Sequence, residues 1–81
     1  MSDTLGWVYY KKGLASLAVT SFEEAIKQGP SNPSVHYRLG LAYFKNGDQK
    51  KARDSFLHAL KLSPTFKEAE DAKRELASLK D

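Results

Sequence analysis

Apolar and small residues fall at helical spacing along most of the chain. Ala18, Phe22, Ala25 and Ile26 stand at i, i+4, i+7 and i+8, one face of a helix, and Ala52, Phe56, Ala59 and Leu60 repeat that spacing. The intervening Glu23, Glu24, Lys27, Asp54, His58 and Lys61 take the opposite, solvent-facing side. Gly13 and Gly47 each follow a first helix, where a left-handed residue costs glycine least, and Asn46-Gly47-Asp48 supplies an N-cap for the next. Asn32-Pro33 reads as an N-cap followed by proline at the first helical position, while Gly29-Pro30 and Ser63-Pro64 end the helices before them. The pattern predicts five helices, near residues 3–12, 16–28, 33–46, 49–62 and 66–79, and no strand.

A shift of 34 residues brings the sequence onto itself. Leu5 meets Leu39, Gly6 Gly40, Tyr9 Tyr43, Lys11 Lys45, Gly13 Gly47 and Ala18 Ala52, and the matches run on through Phe22 and Phe56, Ala25 and Ala59, Lys27 and Lys61 to Pro30 and Pro64. With Ser21 and Ser55 that makes eleven identities in 32 aligned pairs, against about two for unrelated sequence, so the chain carries an internal repeat of two helices per unit. Small residues at Gly6, Ala18 and Ala25, matched by Gly40, Ala52 and Ala59, mark where the two helices of a hairpin cross. Leu5, Val8, Tyr9 and Phe22, with Leu39, Ala42, Tyr43 and Phe56, are expected to pack within the hairpins around those crossings.

Period and motif together resemble the tetratricopeptide repeat, whose W-x2-L-G-x2-Y…A-x3-F…P pattern is met by Leu39-Gly40, Tyr43, Ala52, Phe56 and Pro64 and by Leu5-Gly6, Tyr9, Ala18, Phe22 and Pro30. Two departures stand out: the leading tryptophan place holds Ser2 and His36, and Arg53 replaces a branched aliphatic residue, which predicts looser packing there. The resemblance implies an all-α fold of antiparallel helix-turn-helix repeats stacked as a right-handed α-solenoid. Residues 1–32 form the first unit, 33–66 the second and 67–81 a capping helix, together one domain. In the cap, Ala69, Ala72, Leu76 and Leu79 make a narrow apolar stripe, Lys67 through Lys80 supply a polar cover, and Glu70 with Arg74 forms an i, i+4 pair. The first unit starts about two residues short of its period, which predicts a fragment of a larger parent with further repeats upstream. The Asp3-Thr4-Leu5-Gly6-Trp7 stretch resembles the last repeats of bacterial tetratricopeptide proteins, including those tied to cell-surface export.

The first helices carry more apolar residues than one hairpin face needs, and such a helix must be covered on two sides. In tetratricopeptide arrays the first helices line a concave groove. The resemblance therefore implies a peptide-binding groove of Trp7, Tyr10, Lys11, Tyr37, Leu41, Phe44 and Lys45, taking a peptide or helical segment of a partner protein. The competing reading is that these rings pack between neighbouring helices. Some members of the family hold the C-terminal carboxylate of heat-shock chaperones in a clamp of lysine, asparagine and arginine. The matching places here hold Asp3, Trp7, Arg38, Glu68 and Ala72, so no such clamp is expected. Leu14 and Leu17 stand where the other unit has Asp48 and Lys51; they either pack over the turn or contact an upstream repeat or a second copy of the chain.

Composition narrows the chemistry. No cysteine is present, so disulfide frameworks, thiolate zinc sites and thiol nucleophiles are excluded, and no glycine-rich phosphate loop or Ser/His/acid grouping occurs. The chain reads as non-enzymatic, without catalytic residues, cofactor or metal. His36 and His58 are read as surface or partly packed residues, there being no further ligands to name. Thirteen basic and ten acidic residues give a formal charge of +3, a mixed surface for which nucleic acid is not the expected partner; Lys45, Lys50, Lys51 and Arg53 form its densest basic stretch. No apolar run is long enough to span a membrane, and the expected location is the cytoplasm, or the periplasm or cell surface if the parent carries a signal. The runner-up function is structural: an end segment of a longer superhelix that caps the array or mediates self-association.

Overall fold

Two hairpins are closed by the same turn chemistry. In the computed structural model, α1 (Ser2–Lys11) gives way to α2 (Ala15–Gln28) through Gly13 at φ +80°, and α3 (Pro33–Lys45) to α4 (Gln49–Leu62) through Gly47 at φ +87°. At each turn the glycine N–H returns to the carbonyl three residues back (Tyr10, Phe44) and the following N–H to the carbonyl five residues back (Tyr9, Tyr43), all at 2.9–3.0 Å. This is the Schellman arrangement, which needs the left-handed conformation that only glycine adopts cheaply. The residue after the glycine differs by use: Asp48 caps α4 by accepting from the Lys51 N–H at 3.2 Å, whereas Leu14 gives α2 no side-chain cap. Asn32 caps α3, accepting from Ser34 N–H at 3.0 Å ahead of Pro33, as the sequence predicts. A fifth helix, α5 (Ala69–Leu79), completes the set, and the described residues contain no strand. Backbone is described for residues 2–79 and side chains for 4–79. Met1, Lys80, Asp81 and the side chains of Ser2 and Asp3 lie outside the described residues, and with them the expected polar cover at Lys80, the motif place of Ser2 and the clamp place of Asp3.

The helices pack in series, α1 on α2, α2 on α3, α3 on α4 and α4 on α5, with a light α1–α3 contact, giving a helical-hairpin repeat solenoid. Each hairpin is locked by a phenylalanine ring laid on a glycine. Phe22 and Phe56 are the largest fully buried side chains, and a Cβ placed on Gly6 would stand 2.9 Å from the Phe22 ring, one on Gly40 2.6 Å from that of Phe56. The rings thus occupy the crossing itself rather than flanking it. Around them form two apolar clusters: Ala18 and Phe22 with Val35, Leu39 and Ala42 from α3, and Tyr37, Ala52, Phe56 and Ala59 with Ala72 and Leu79 from α5. Tyr43 borders both, and its hydroxyl donates to Glu23 at 2.6 Å, tying α3 to α2.

The structure corrects several expectations. Leu5 and Val8 are 46% and 43% exposed, whereas their counterparts Leu39 and Ala42 are 6% and 0% exposed, because the latter pack on α2 and no described helix stands in that relation to α1. Helix α5 starts at Ala69 rather than near residue 66: Phe66, at the place equivalent to the capping Asn32, turns inward onto Tyr37 with ring centroids 6.4 Å apart. Arg53 is half-buried and has a partner. Its guanidinium donates to the Leu79 carbonyl at 2.9 Å and fastens the last turn of α5, which otherwise follows the expected stripe of Ala69, Ala72, Leu76 and Leu79. Glu70 pairs with Lys73, and Arg74 with Asp71, one residue closer than the expected Glu70–Arg74 pair. Ser34 and Glu68, themselves 34 residues apart, join through a 2.8 Å hydrogen bond and tie the start of α3 to the approach to α5.

The ring-on-glycine contact makes a ranked prediction. For Gly40→Ala the overpacking cost of about 1–3 kcal/mol falls in the upper part of its range, because the Cβ would stand 2.6 Å from the ring; set against a gain of about 1 kcal/mol from better helix propensity, it should leave a net loss of about 1–2 kcal/mol in urea. Gly6→Ala should cost less, since its ring stands off further. A stability equal to or above wild type for Gly40→Ala would contradict the packing described.

Candidate functional site

Helices α1 and α3, the first of each hairpin, meet along a face where rings and cations alternate. Trp7 and Tyr10, one turn apart in α1, stack with centroids 5.2 Å apart and planes 11° from parallel. The Lys11 ammonium lies 5.4 Å from the Trp7 centroid, the Arg38 guanidinium of α3 lies 5.0 Å from the same ring, and the Lys45 ammonium of α3 lies 5.1 Å from Tyr10. Cations at these distances are attracted by the ring quadrupole, by about 0.5–1 kcal/mol each where solvent reaches them. Two of the three come from the neighbouring hairpin, so the contacts also hold α1 to α3. At the far end α5 brings a carboxylate: burial and then Glu75 push the Tyr10 hydroxyl above its usual range, and burial, Glu75 and Glu68 do the same to Tyr37.

Of the seven residues assigned to a groove from sequence, Trp7, Tyr10, Lys11 and Lys45 come together here. The other three divide along α3: Phe44 is exposed, Leu41 is half-buried against the second cluster, and Tyr37 is only 9% exposed, packed on Phe56 at 5.7 Å and covered by Phe66. Tyr37 is thus part of the core at this end. Arg38, which sequence reasoning weighed only as a clamp residue, joins the site. Its signal was its position, since Arg38 and Lys45 lie two turns apart on the α3 side that faces α1. At the remaining clamp places Glu68 accepts from Ser34 and Ala72 is fully buried.

A family model described as TPR repeat matches residues 6–47, and one described as tetratricopeptide repeat matches residues 33–66. The chain belongs to the tetratricopeptide repeat family. Among curated proteins none matches it. Tetratricopeptide repeats are a protein-interaction fold, non-catalytic as a class, and the two matches run from the first glycine of the hairpin crossings to the loop before α5.

Behind this face, on the other side of the tetratricopeptide hairpins, an open cleft of about 290 Å³ lies between α2, α3 and α4, lined by Glu23, Ile26, His36, Leu39, Asp54, Ser55 and His58. His36 is buried more deeply than its sequence reading allowed, and its Nε2–H donates to the Pro30 carbonyl at 2.9 Å. The His58 ring lies 4.3 Å from it, centroid to centroid, at 40°. No group of three or more His, Cys, Asp or Glu among the described residues is placed to hold a metal ion. The densest basic stretch disperses: Lys45 lies over Tyr10, Lys51 over Tyr43, and Arg53 reaches α5. No helix among the described residues is long and apolar enough to cross a membrane.

The buried histidine sets a pH dependence. Burial, reinforced by His58, holds the His36 imidazole below its ordinary 6.5, against the opposing pull of the Pro30 carbonyl. The unfolded chain takes up this proton at higher pH than the folded one, so stability is complete above about pH 6.5 and falls as pH drops toward the folded value. Thermal melts should therefore show a lower midpoint at pH 5 than at pH 7, and His36→Gln should flatten that difference. An unchanged slope in the variant would remove His36 as its source.

Proposed function

We propose that this tetratricopeptide module binds a peptide or helical segment of another protein along the α1–α3 face, without chemistry of its own. Trp7, Tyr10, Lys11, Leu41, Phe44 and Lys45 form the contact surface, and Tyr37 forms its buried floor. The observation that supports this most is the stacked, half-buried Trp7–Tyr10 pair. Rigid rings held in place lose little conformational entropy on binding and supply much contact area. The 34-residue shift places Leu41 and Phe44 as the counterparts of Trp7 and Tyr10, which extends the apolar surface from one unit to the next.

Peptides selected from a random display library on the immobilised protein should perturb the emission of Trp7, the sole tryptophan. Tyr10→Ser and Phe44→Ser should each weaken the selected peptides by about tenfold, near 1.4 kcal/mol, with helicity by circular dichroism retained. Selected peptides that leave Trp7 emission unchanged and bind both variants as tightly as wild type would place the contact elsewhere.

A second reading, an end segment that caps a longer superhelix or self-associates, draws on a separate observation. Leu5 and Val8 on α1 and Leu14 and Leu17 at the start of α2 are all exposed. The buried counterparts of the first two show how a neighbouring helix covers such a face. On this reading the chain sediments as a concentration-dependent oligomer, and Val8→Lys or Leu17→Lys shifts it to monomer. A wild type that stays monomeric throughout the range would discard self-association.

A further inference from the structure

The α1–α3 face has an electrostatic character that names its ligand more closely than its aromatic content does. Most acidic side chains are engaged elsewhere. Glu23 accepts from Tyr43, Glu24 pairs with Lys27, Asp48 caps α4, Glu68 accepts from Ser34, Glu70 pairs with Lys73 and Asp71 with Arg74. Lys11 and Lys45, by contrast, contact rings and make no ion pair among the described residues. A lysine is ordinarily a poor partner for an anion because ordering its long side chain costs entropy. Here the cation–π contacts hold the ammonium groups over Trp7 and Tyr10 before any ligand arrives, which reduces that cost.

From this we infer that the occupant of the α1–α3 face is an acidic protein segment, one carrying several carboxylates beside an apolar side chain, whose carboxylates meet Lys11 and Lys45 while the apolar group rests on Phe44 and the ring edges. The inference rests on the interaction reading above and specifies its partner. It differs from capture of a chain terminus, because an internal acidic stretch satisfies it. A single-stranded nucleic acid also combines negative charge with flat groups, but its bases need open ring faces on which to stack. The faces of Trp7 and Tyr10 are taken, since the two rings stack on each other and Lys11, Arg38 and Lys45 lie over them, which leaves the exposed Phe44 as a single platform.

The test uses the full chain and a synthetic probe: an acetylated, amidated peptide of alternating aspartate and glutamate around one leucine, titrated while Trp7 emission is followed. Its twin replaces every acid by asparagine or glutamine, and an oligothymidine of similar length serves as the third arm. The acidic peptide should bind saturably, at least tenfold tighter than the twin, and should weaken as salt rises past the concentration that screens exposed charges. Lys11→Gln with Lys45→Gln should cost at least tenfold in affinity with the melting curve retained, while Lys50→Gln with Lys61→Gln on α4 should change binding less than twofold. A twin that binds as tightly as the acidic peptide would overturn the acidic assignment and leave the interaction reading standing. Equal losses from both lysine pairs would reduce the effect to overall charge and overturn it as well. Tighter binding of the oligothymidine would transfer the face to nucleic acid. Failure of both peptides, together with an empty library selection, would remove the acidic assignment and the interaction reading together.

Discussion

A phenylalanine ring against the bare backbone of a glycine sets the spacing of everything else in this chain. Phe22 on Gly6 and Phe56 on Gly40 bring each pair of helices closer than any side chain at the glycine position would allow, and the alanines at 18, 52 and 59 extend the close contact. The second helix of each hairpin is thereby fixed relative to the first. Because α2 then packs on α3, and α4 on α5, one local contact is carried forward as a translation along the array. The α1–α3 face follows from it. Arg38 reaches Trp7, and Lys45 reaches Tyr10, only because both hairpins present their first helices to the same side at the same height.

The architecture was legible in the sequence because its determinants are local and occur twice. The left-handed glycines at 13 and 47, the Asn32-Pro33 cap, the small residues at the crossings and the apolar stripes all act within one unit, and the second copy establishes that the first is no accident of composition. What escaped was contact between units and around α1 and α5. Leu5 reads the same as Leu39 along the chain, yet their burial differs because a neighbour covers only one of them. Phe66 reads as the start of a helix until the exposed edge of Tyr37 is seen to need a cover. Tyr37, Leu41 and Phe44 share a stripe by spacing, but α4, α5 and the loop between them bury the first and leave the last in solvent.

Places where the two units differ carry the information specific to this chain. Arg53 stands where the first unit has Val19: valine packs into the cluster between α2 and α3, whereas arginine reaches across to the Leu79 carbonyl in the last turn of α5, where carbonyls lack intrahelical donors. Lys51 lies over Tyr43 where Leu17 stands exposed in the first unit. Trp7 replaces Leu41 and turns a small apolar site into a ring that three features converge on, namely Tyr10, Lys11 and Arg38. The shared residues build the scaffold, and the unshared ones build its closure and the surface proposed for binding.

The most direct measurement is the proton spectrum of the two crossing glycines. Rings lying on Gly6 and Gly40 should move their α-protons well upfield of ordinary helical glycine, with nuclear Overhauser contacts from Gly6 to the Phe22 ring and from Gly40 to that of Phe56. Glycine α-protons at unshifted positions without contacts to either ring would contradict the hairpin packing, and with it the face that α1 and α3 form together.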